Sequence, residues 1–146
     1  RIANDQHVVT PALERIVEAN ILLSGLGFES AGLAAAHAIH NGLTALPETH
    51  AFYHGEKVAF GVLAGLQLSD AAPADVDAVY TFCEKVGLPT TLAALGLAKV
   101  SPQALAKAAA MACAPEQSIH HEAGTITPEK TLAAMIAADA IGRSRQ

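Results

Sequence analysis

Aromatic and cationic residues are scarce in this chain of 146 residues, which has no tryptophan and only 4% aromatic residues. Lysine and arginine number nine against fourteen acidic residues, and the formal net charge is −5. Only Arg143 and Arg145 form a basic pair, near the end of the sequence. Nucleic-acid binding requires a dense cationic surface, so we expect no nucleic-acid partner.

Cysteine occurs twice, at Cys83 and Cys113, outside any Cys-x-x-Cys motif. A chain that is 51% hydrophobic can bury a sizeable core without a disulfide, so we expect both thiols to be reduced and packed. No charged-then-apolar leader is visible, and the longest apolar run, 58–66, falls short of the ~20 residues of a membrane span. We therefore expect a cytoplasmic protein without a membrane partner.

Alanine and leucine supply most of the apolar residues, and both favour helices, whereas β-branched runs are few. Three helix starts pair a hydroxyl residue with proline, at Thr10-Pro11, Ser101-Pro102 and Thr127-Pro128. No segment alternates like a strand, so residues 1–146 are predicted to form one all-α helical bundle. The predicted helices are about 11–24, 30–40, 55–69, 74–86, 102–113 and 128–143, with a short helical turn at 90–95. Gly25 and Gly27 are expected to end the first helix, and Asn41-Gly42 the second.

Seven histidines are present, and four of them occur around the predicted second and third helices. His37 and His40 are three residues apart and so share a helix face, while His50 and His54 precede the third helix. Zinc binds neutral imidazole, and a catalytic site usually has three protein ligands and an open position. Spacing alone also allows an ordinary helix with two histidines and no metal, because no carboxylate ligand accompanies the pair.

Other reactive-looking residues have simpler interpretations. The run 120–122, His-His-Glu, lies in a predicted loop, where adjacent histidines usually face solvent. Ser30 is expected to cap the second helix and not to act as a nucleophile. Glu56 and Lys57 fit an ordinary solvated helix entrance, although charges in the first turn of so apolar a helix would also lie close to a buried surface.

Four stretches resemble a known family more specifically: residues 10–15, 27–44, 54–61 and 86–92. They include Ala-Ala-Ala-His-Ala-Ile-His-Asn-Gly at 34–42 and His-Gly-Glu-Lys at 54–57. In order and spacing they are similar to the C-terminal helical domain of the iron- and zinc-dependent polyol dehydrogenases, the iron-containing alcohol dehydrogenase family. The resemblance covers nearly the whole chain and implies a partial C-terminal all-α metal-binding domain at 1–146.

The resemblance also implies a site and a reaction. One aspartate and two histidines hold the metal in this family, and the flanking motifs place the histidines at His37 and His54. These two residues would also adjoin the substrate, and no catalytic residue beyond the metal ligands is implied. His40 and His50 would be neighbours of the site. The complete enzyme would use Zn²⁺, or iron as the alternative, to oxidise glycerol or a related small diol with NAD.

The aspartate ligand and the nucleotide-binding domain are expected upstream of Arg1, and the surroundings of Asp5 do not match the aspartate motif. We therefore expect the isolated chain to bind no NAD and to lack dehydrogenase activity. Apolar surface left by missing helices should promote a homo-oligomer. A standalone non-enzymatic helical module with an interaction or regulatory role is the alternative, and an active relative with another diol or alcohol is a third possibility.

Overall fold

The computed structural model describes residues 2–146, and they fall into two compact units, one ending at Gly32 and the other spanning Leu33–Gln146. All regular structure in residues 2–146 is helical, which confirms the predicted all-α class. The α-helices are α1 Ile2–Gln6, α2 Pro11–Glu18, α3 Ser24–Ala31, α4 Ala35–Leu43, α5 His54–Leu68, α6 Pro73–Val86, α7 Pro102–Ala112 and α8 Pro128–Ser144. Short 3-10 segments occupy Pro47–Thr49, Ala93–Leu95 and Ser118–His121.

The three hydroxyl–proline pairs begin helices as predicted. The side chains of Thr10, Ser101 and Thr127 accept hydrogen bonds from the backbone N–H three residues later, at 3.2, 3.1 and 3.3 Å. The proline that follows takes a position in the first helical turn in each case. These caps satisfy backbone donors that have no partner within the helix.

In the first unit, the prediction that Gly25 and Gly27 end a helix is wrong. A π-helical segment, Ala19–Leu23, continues α2 directly into α3, and both glycines lie within α3. An internal glycine costs a helix only about 1 kcal/mol relative to alanine, which neighbouring residues can offset. The helix ends instead at Gly32, where φ is 73°, a value that glycine adopts readily.

The helix that carries His37 therefore begins later than predicted. Ser30 is part of α3, so it does not cap the following helix, and α4 starts at Ala35. Asn41 and Gly42 do not end α4 either, because the helix continues to Leu43. Gly42 is needed for packing: a Cβ there would lie 2.2 Å from the backbone oxygen of Ala108 on α7.

The second unit has its core around α4 and α5. Helix α4 packs against α5 and α7, and α8 packs against the same two helices. Large buried side chains fill the centre: Ile39, Leu43, Phe60, Leu63, Tyr80, Leu95, Ile119 and Met135. The Tyr80 hydroxyl donates to the Ala138 carbonyl at 2.7 Å, and burial raises the pKa of Tyr80 to about 12. The phenol is therefore a protonated donor at neutral pH.

Both cysteines are free thiols, as expected, with Cys83 buried and Cys113 half-buried. Burial raises the pKa of the Cys83 thiol, which keeps it protonated and unreactive. Among residues 2–146, no single helix has both the length and the hydropathy to cross a membrane, and only Pro11–Ala31 and Ala35–Leu43 taken together meet that requirement.

Candidate metal centre

Three imidazoles meet where α4 passes the start of α5. His37 and His40 lie on one face of α4, and His54 is the first residue of α5. The ring centres of His37 and His54 are 5.3 Å apart, and those of His40 and His54 are 4.3 Å apart. Nδ1 of His54 lies 3.2 Å from Nε2 of His40, within hydrogen-bond distance. The structure thus brings together the two predicted ligands and one predicted neighbour.

Glycine on α5 sets the distance between the two helices beside this cluster. A Cβ at Gly61 would lie 2.3 Å from the carbonyl oxygen of Ala36, the residue before His37. Only a residue without a side chain therefore allows α5 to approach α4 this closely. The close approach fixes the backbone of His37 relative to that of His54.

Buried polar contacts hold the connection between α4 and α5. The Thr49 hydroxyl lies near two carbonyl oxygens, those of Leu43 at 2.9 Å and Leu46 at 3.0 Å. Lys57 donates from Nζ to the carbonyl oxygen of Thr49 at 3.3 Å. Because these bonds anchor the loop at its middle, the position of His54 relative to α4 is well determined.

Glu56 and Lys57 are not an ordinary solvated helix entrance. Lys57 is only 6% exposed, so the solvated interpretation is wrong for this residue. Its ammonium group donates to a backbone carbonyl, which offsets part of the cost of burying it. Glu56 accepts a hydrogen bond from the Tyr53 backbone N–H at 2.7 Å and so caps α5.

The surroundings of His37 and His40 favour their uncharged form. Burial lowers the pKa of His37, and the nearby His54 lowers it further. Burial is also the main reason that the pKa of His40 is lowered, with His54 and Lys57 adding to the effect and a hydrogen bond from His40 to Asn41 opposing it. Neutral imidazole is the form that binds a metal ion, so the site is suited to ligation near neutral pH.

Three other histidines of the second unit, His50, His120 and His121, lie outside this cluster. Nε2 of His50 is 2.9 Å from the carbonyl oxygen of Thr44, and Nε2 of His120 is 3.1 Å from that of Ala114. His120 and His121 are exposed, as predicted, although His121 also bonds the Leu33 carbonyl through Nδ1. Their rings therefore bind backbone and solvent.

Glu122 has a structural role that the sequence did not reveal. Its Oε1 accepts a hydrogen bond from the Ala35 N–H at 2.9 Å, at the N-terminus of α4. A carboxylate at this position satisfies an orphan donor and opposes the helix dipole. The two residues are 87 positions apart in the chain, so no local motif indicates the contact.

The ring geometry can be compared with that of a metal site. Two imidazoles bound to one tetrahedral zinc ion have ring centres about 5 Å apart, given Zn–N bonds of about 2 Å. The separation of 5.3 Å between His37 and His54 matches this value, whereas His40 lies closer to His54. Within residues 2–146, no three or more His, Cys, Asp or Glu side chains are arranged to hold a metal ion.

The chain is similar to known enzymes over almost its whole length, although no protein-family model matches it. It is 58% identical over 142 residues to glycerol dehydrogenase of Thermotoga maritima and 54% identical over 142 residues to that of Pseudomonas putida. Each match covers 97% of this chain but 39% of the relative. The crystal structure of a probable glycerol dehydrogenase from Sinorhizobium meliloti 1021 shares 48% identity, with a TM-score of 0.94, and the match covers 98% of this chain and 41% of that one.

The helical fold and these similarities define the chain as a relative of oxidoreductases. More narrowly, it is related to the glycerol dehydrogenases and corresponds to part of such an enzyme, which confirms the resemblance seen in the sequence. It spans about two fifths of the length of the curated relatives that it matches.

Proposed function

We propose that this chain is the helical, metal-binding part of a glycerol dehydrogenase that oxidises glycerol to dihydroxyacetone with NAD. The observation that carries the proposal is the pair His37 and His54, with ring centres 5.3 Å apart, on a framework similar to that of glycerol dehydrogenases. Free thiols are in keeping with a cytoplasmic location for the enzyme.

In this proposal His37 and His54 hold a Zn²⁺ ion, with iron as the alternative, and both adjoin the diol. When bound, zinc acts as a Lewis acid that lowers the pKa of a substrate hydroxyl. The chain's own contribution is to hold two neutral imidazoles at a fixed separation. Burial supports the neutral state of His37, and the close contact at Gly61 supports the separation.

The remaining parts of the site would come from outside residues 2–146. Within this range, no complete set of metal ligands is arranged together. We propose that an aspartate ligand and the NAD-binding surface belong to additional chain, in keeping with the greater length of the relatives. The incomplete ligand set also favours the second candidate, a helical module without enzymatic activity.

The purified 146-residue chain is therefore expected to give no glycerol-dependent rise in NADH absorbance, with or without added Zn²⁺. The full-length enzyme proposed here should give a clear rise that a chelator abolishes. Activity of the 146-residue chain would contradict the proposal that part of the site lies in additional chain. Absence of both metal and activity in the longer protein would favour the non-enzymatic module.

The chain alone is also expected to self-associate. Helices α2 and α3 and the π-helical segment Ala19–Leu23 between them have no buried residue. Large apolar side chains on these three elements are exposed, including Ile16, Ile21, Leu23, Leu26 and Phe28. Continuous apolar surface of this kind is rarely left in water. Light scattering at micromolar concentration should show a mass above that of the monomer. A stable monomer would argue against the homo-oligomer that we propose.

A further inference from the structure

The structure assigns a positioning role to three residues beside the imidazole pair. We propose that Gln117, Asn41 and His40 form a hydrogen-bonded chain that fixes the tautomer and orientation of His54. These hydrogen bonds would place the proton of His54 on Nδ1 and leave Nε2 as the nitrogen that binds the metal. This inference rests on the proposed function, because it concerns how His54 is prepared to act as a ligand.

The series of hydrogen bonds begins at Gln117, in the segment before the 3-10 turn Ser118–His121. Nδ2 of Asn41 donates to Oε1 of Gln117 at 2.8 Å. The amide of Asn41 is thereby oriented so that its Oδ1 faces His40, where it lies 3.0 Å from Nδ1. An amide oxygen can only accept a hydrogen bond, so Nδ1 of His40 must carry the proton.

The tautomer of His40 in turn determines that of His54. A neutral imidazole with its proton on Nδ1 has its lone pair on Nε2, so Nε2 of His40 is an acceptor. Nδ1 of His54 lies 3.2 Å away and must donate to it. The lone pair of His54 is then on Nε2. Each assignment follows from the one before it, and the orientation of one amide sets the tautomers of two rings.

This arrangement meets a common requirement of metal sites. Histidines that bind metals usually donate their second ring N–H to an acceptor, which fixes the ring and the tautomer. A carboxylate, a backbone carbonyl or water is the usual acceptor, and here an imidazole takes that place. His40 and Asn41 belong to α4 and His54 to α5. The hydrogen bonds therefore also fix the His54 ring relative to α4.

The tautomer can be measured without any metal, by the ¹⁵N resonances of the imidazole nitrogens in the 146-residue chain at a pH where the rings are neutral. We expect wild-type His54 to be protonated at Nδ1. Asn41→Ala should give a mixture of the two tautomers, whereas Gln117→Glu should resemble wild type, because a carboxylate also accepts from the Asn41 amide. Asn20→Ala, an exposed asparagine in the first unit, is the matched control and should change nothing.

Zn²⁺ titration of the same proteins supplies the second readout. Asn41→Ala should weaken the apparent Zn²⁺ affinity by about 10-fold, within the range usual for residues that support metal ligands. Equal urea midpoints would show that the variant is folded. A wild-type His54 protonated at Nε2, or an Asn41→Ala protein with wild-type tautomer and affinity, would overturn the inference. If His54 were protonated at Nδ1 but Zn²⁺ left the ¹⁵N resonances of His37 and His54 unchanged, the result would count against the proposed metal role alone.

Discussion

Replacing Gly61 by alanine is expected to lower the free energy of unfolding of the second unit by about 3 kcal/mol, at the upper end of the usual cost of overpacking. The new Cβ would lie 2.3 Å from the Ala36 carbonyl oxygen and 3.0 Å from its carbonyl carbon. Backbone atoms cannot rotate away as the end of a flexible side chain can. Helices α4 and α5 must therefore separate, which also opens their packed interface.

Gly65 provides a matched control on the same helix. A Cβ there would meet only the Ala35 Cβ, at 3.7 Å, which is an ordinary van der Waals contact. Gly65→Ala should therefore be neutral or stabilise by up to about 1 kcal/mol, because alanine has the higher helix propensity. Urea denaturation followed by circular dichroism would measure both changes. Similar midpoints for the two variants would show that the close contact does not limit the packing.

The Gly61 substitution also connects packing with the candidate site. Ala36 precedes His37 in α4, so a displacement of the Ala36 backbone moves the His37 ring relative to His54. The 5.3 Å separation of their rings would increase, and a shared tetrahedral ion would no longer fit both nitrogens. A small side chain far from any reacting atom can thus impair the site through the helix spacing alone.

Helix starts marked by a hydroxyl residue and proline were the part of the fold that the sequence predicted best. A hydroxyl side chain and a following proline act locally, so Thr10, Ser101 and Thr127 mark helix starts whatever surrounds them. The start of α5 was predicted within one residue, and the structure brings together His37 and His54, the two histidines chosen from their flanking motifs. Local chemistry and recognisable motifs were therefore sufficient for these features.

Glycine and long-range contacts limited the rest of the prediction. Gly25 and Gly42 look like helix terminators, yet α3 and α4 continue through them, and Gly42 serves a close contact with α7. The burial of Lys57 depends on a carbonyl in the preceding loop, and the cap that Glu122 provides for α4 comes from a distant part of the chain. None of these contacts leaves a periodic pattern in the sequence.

Replacing His37 or His54 by alanine in the full-length enzyme proposed here is expected to weaken Zn²⁺ binding by more than about 100-fold, since losing a residue that merely supports a ligand already costs about 10–100-fold. Each substitution would remove one of the two ligands that we propose for the metal. Glycerol-dependent NADH formation should fall with metal content. Chelator competition and elemental analysis of the purified protein would measure the loss.

The remaining histidines make this prediction specific. His50→Ala should retain the metal, because the His50 ring bonds the Thr44 carbonyl and lies outside the imidazole cluster. His40→Ala should give an intermediate loss of about 10–100-fold, as expected for a residue that orients a ligand. If His40→Ala removed the metal as completely as His37→Ala, the ligand pair would have to be reassigned. The 4.3 Å spacing of the His40 and His54 rings, with a hydrogen bond between their nitrogens, favours the orienting role.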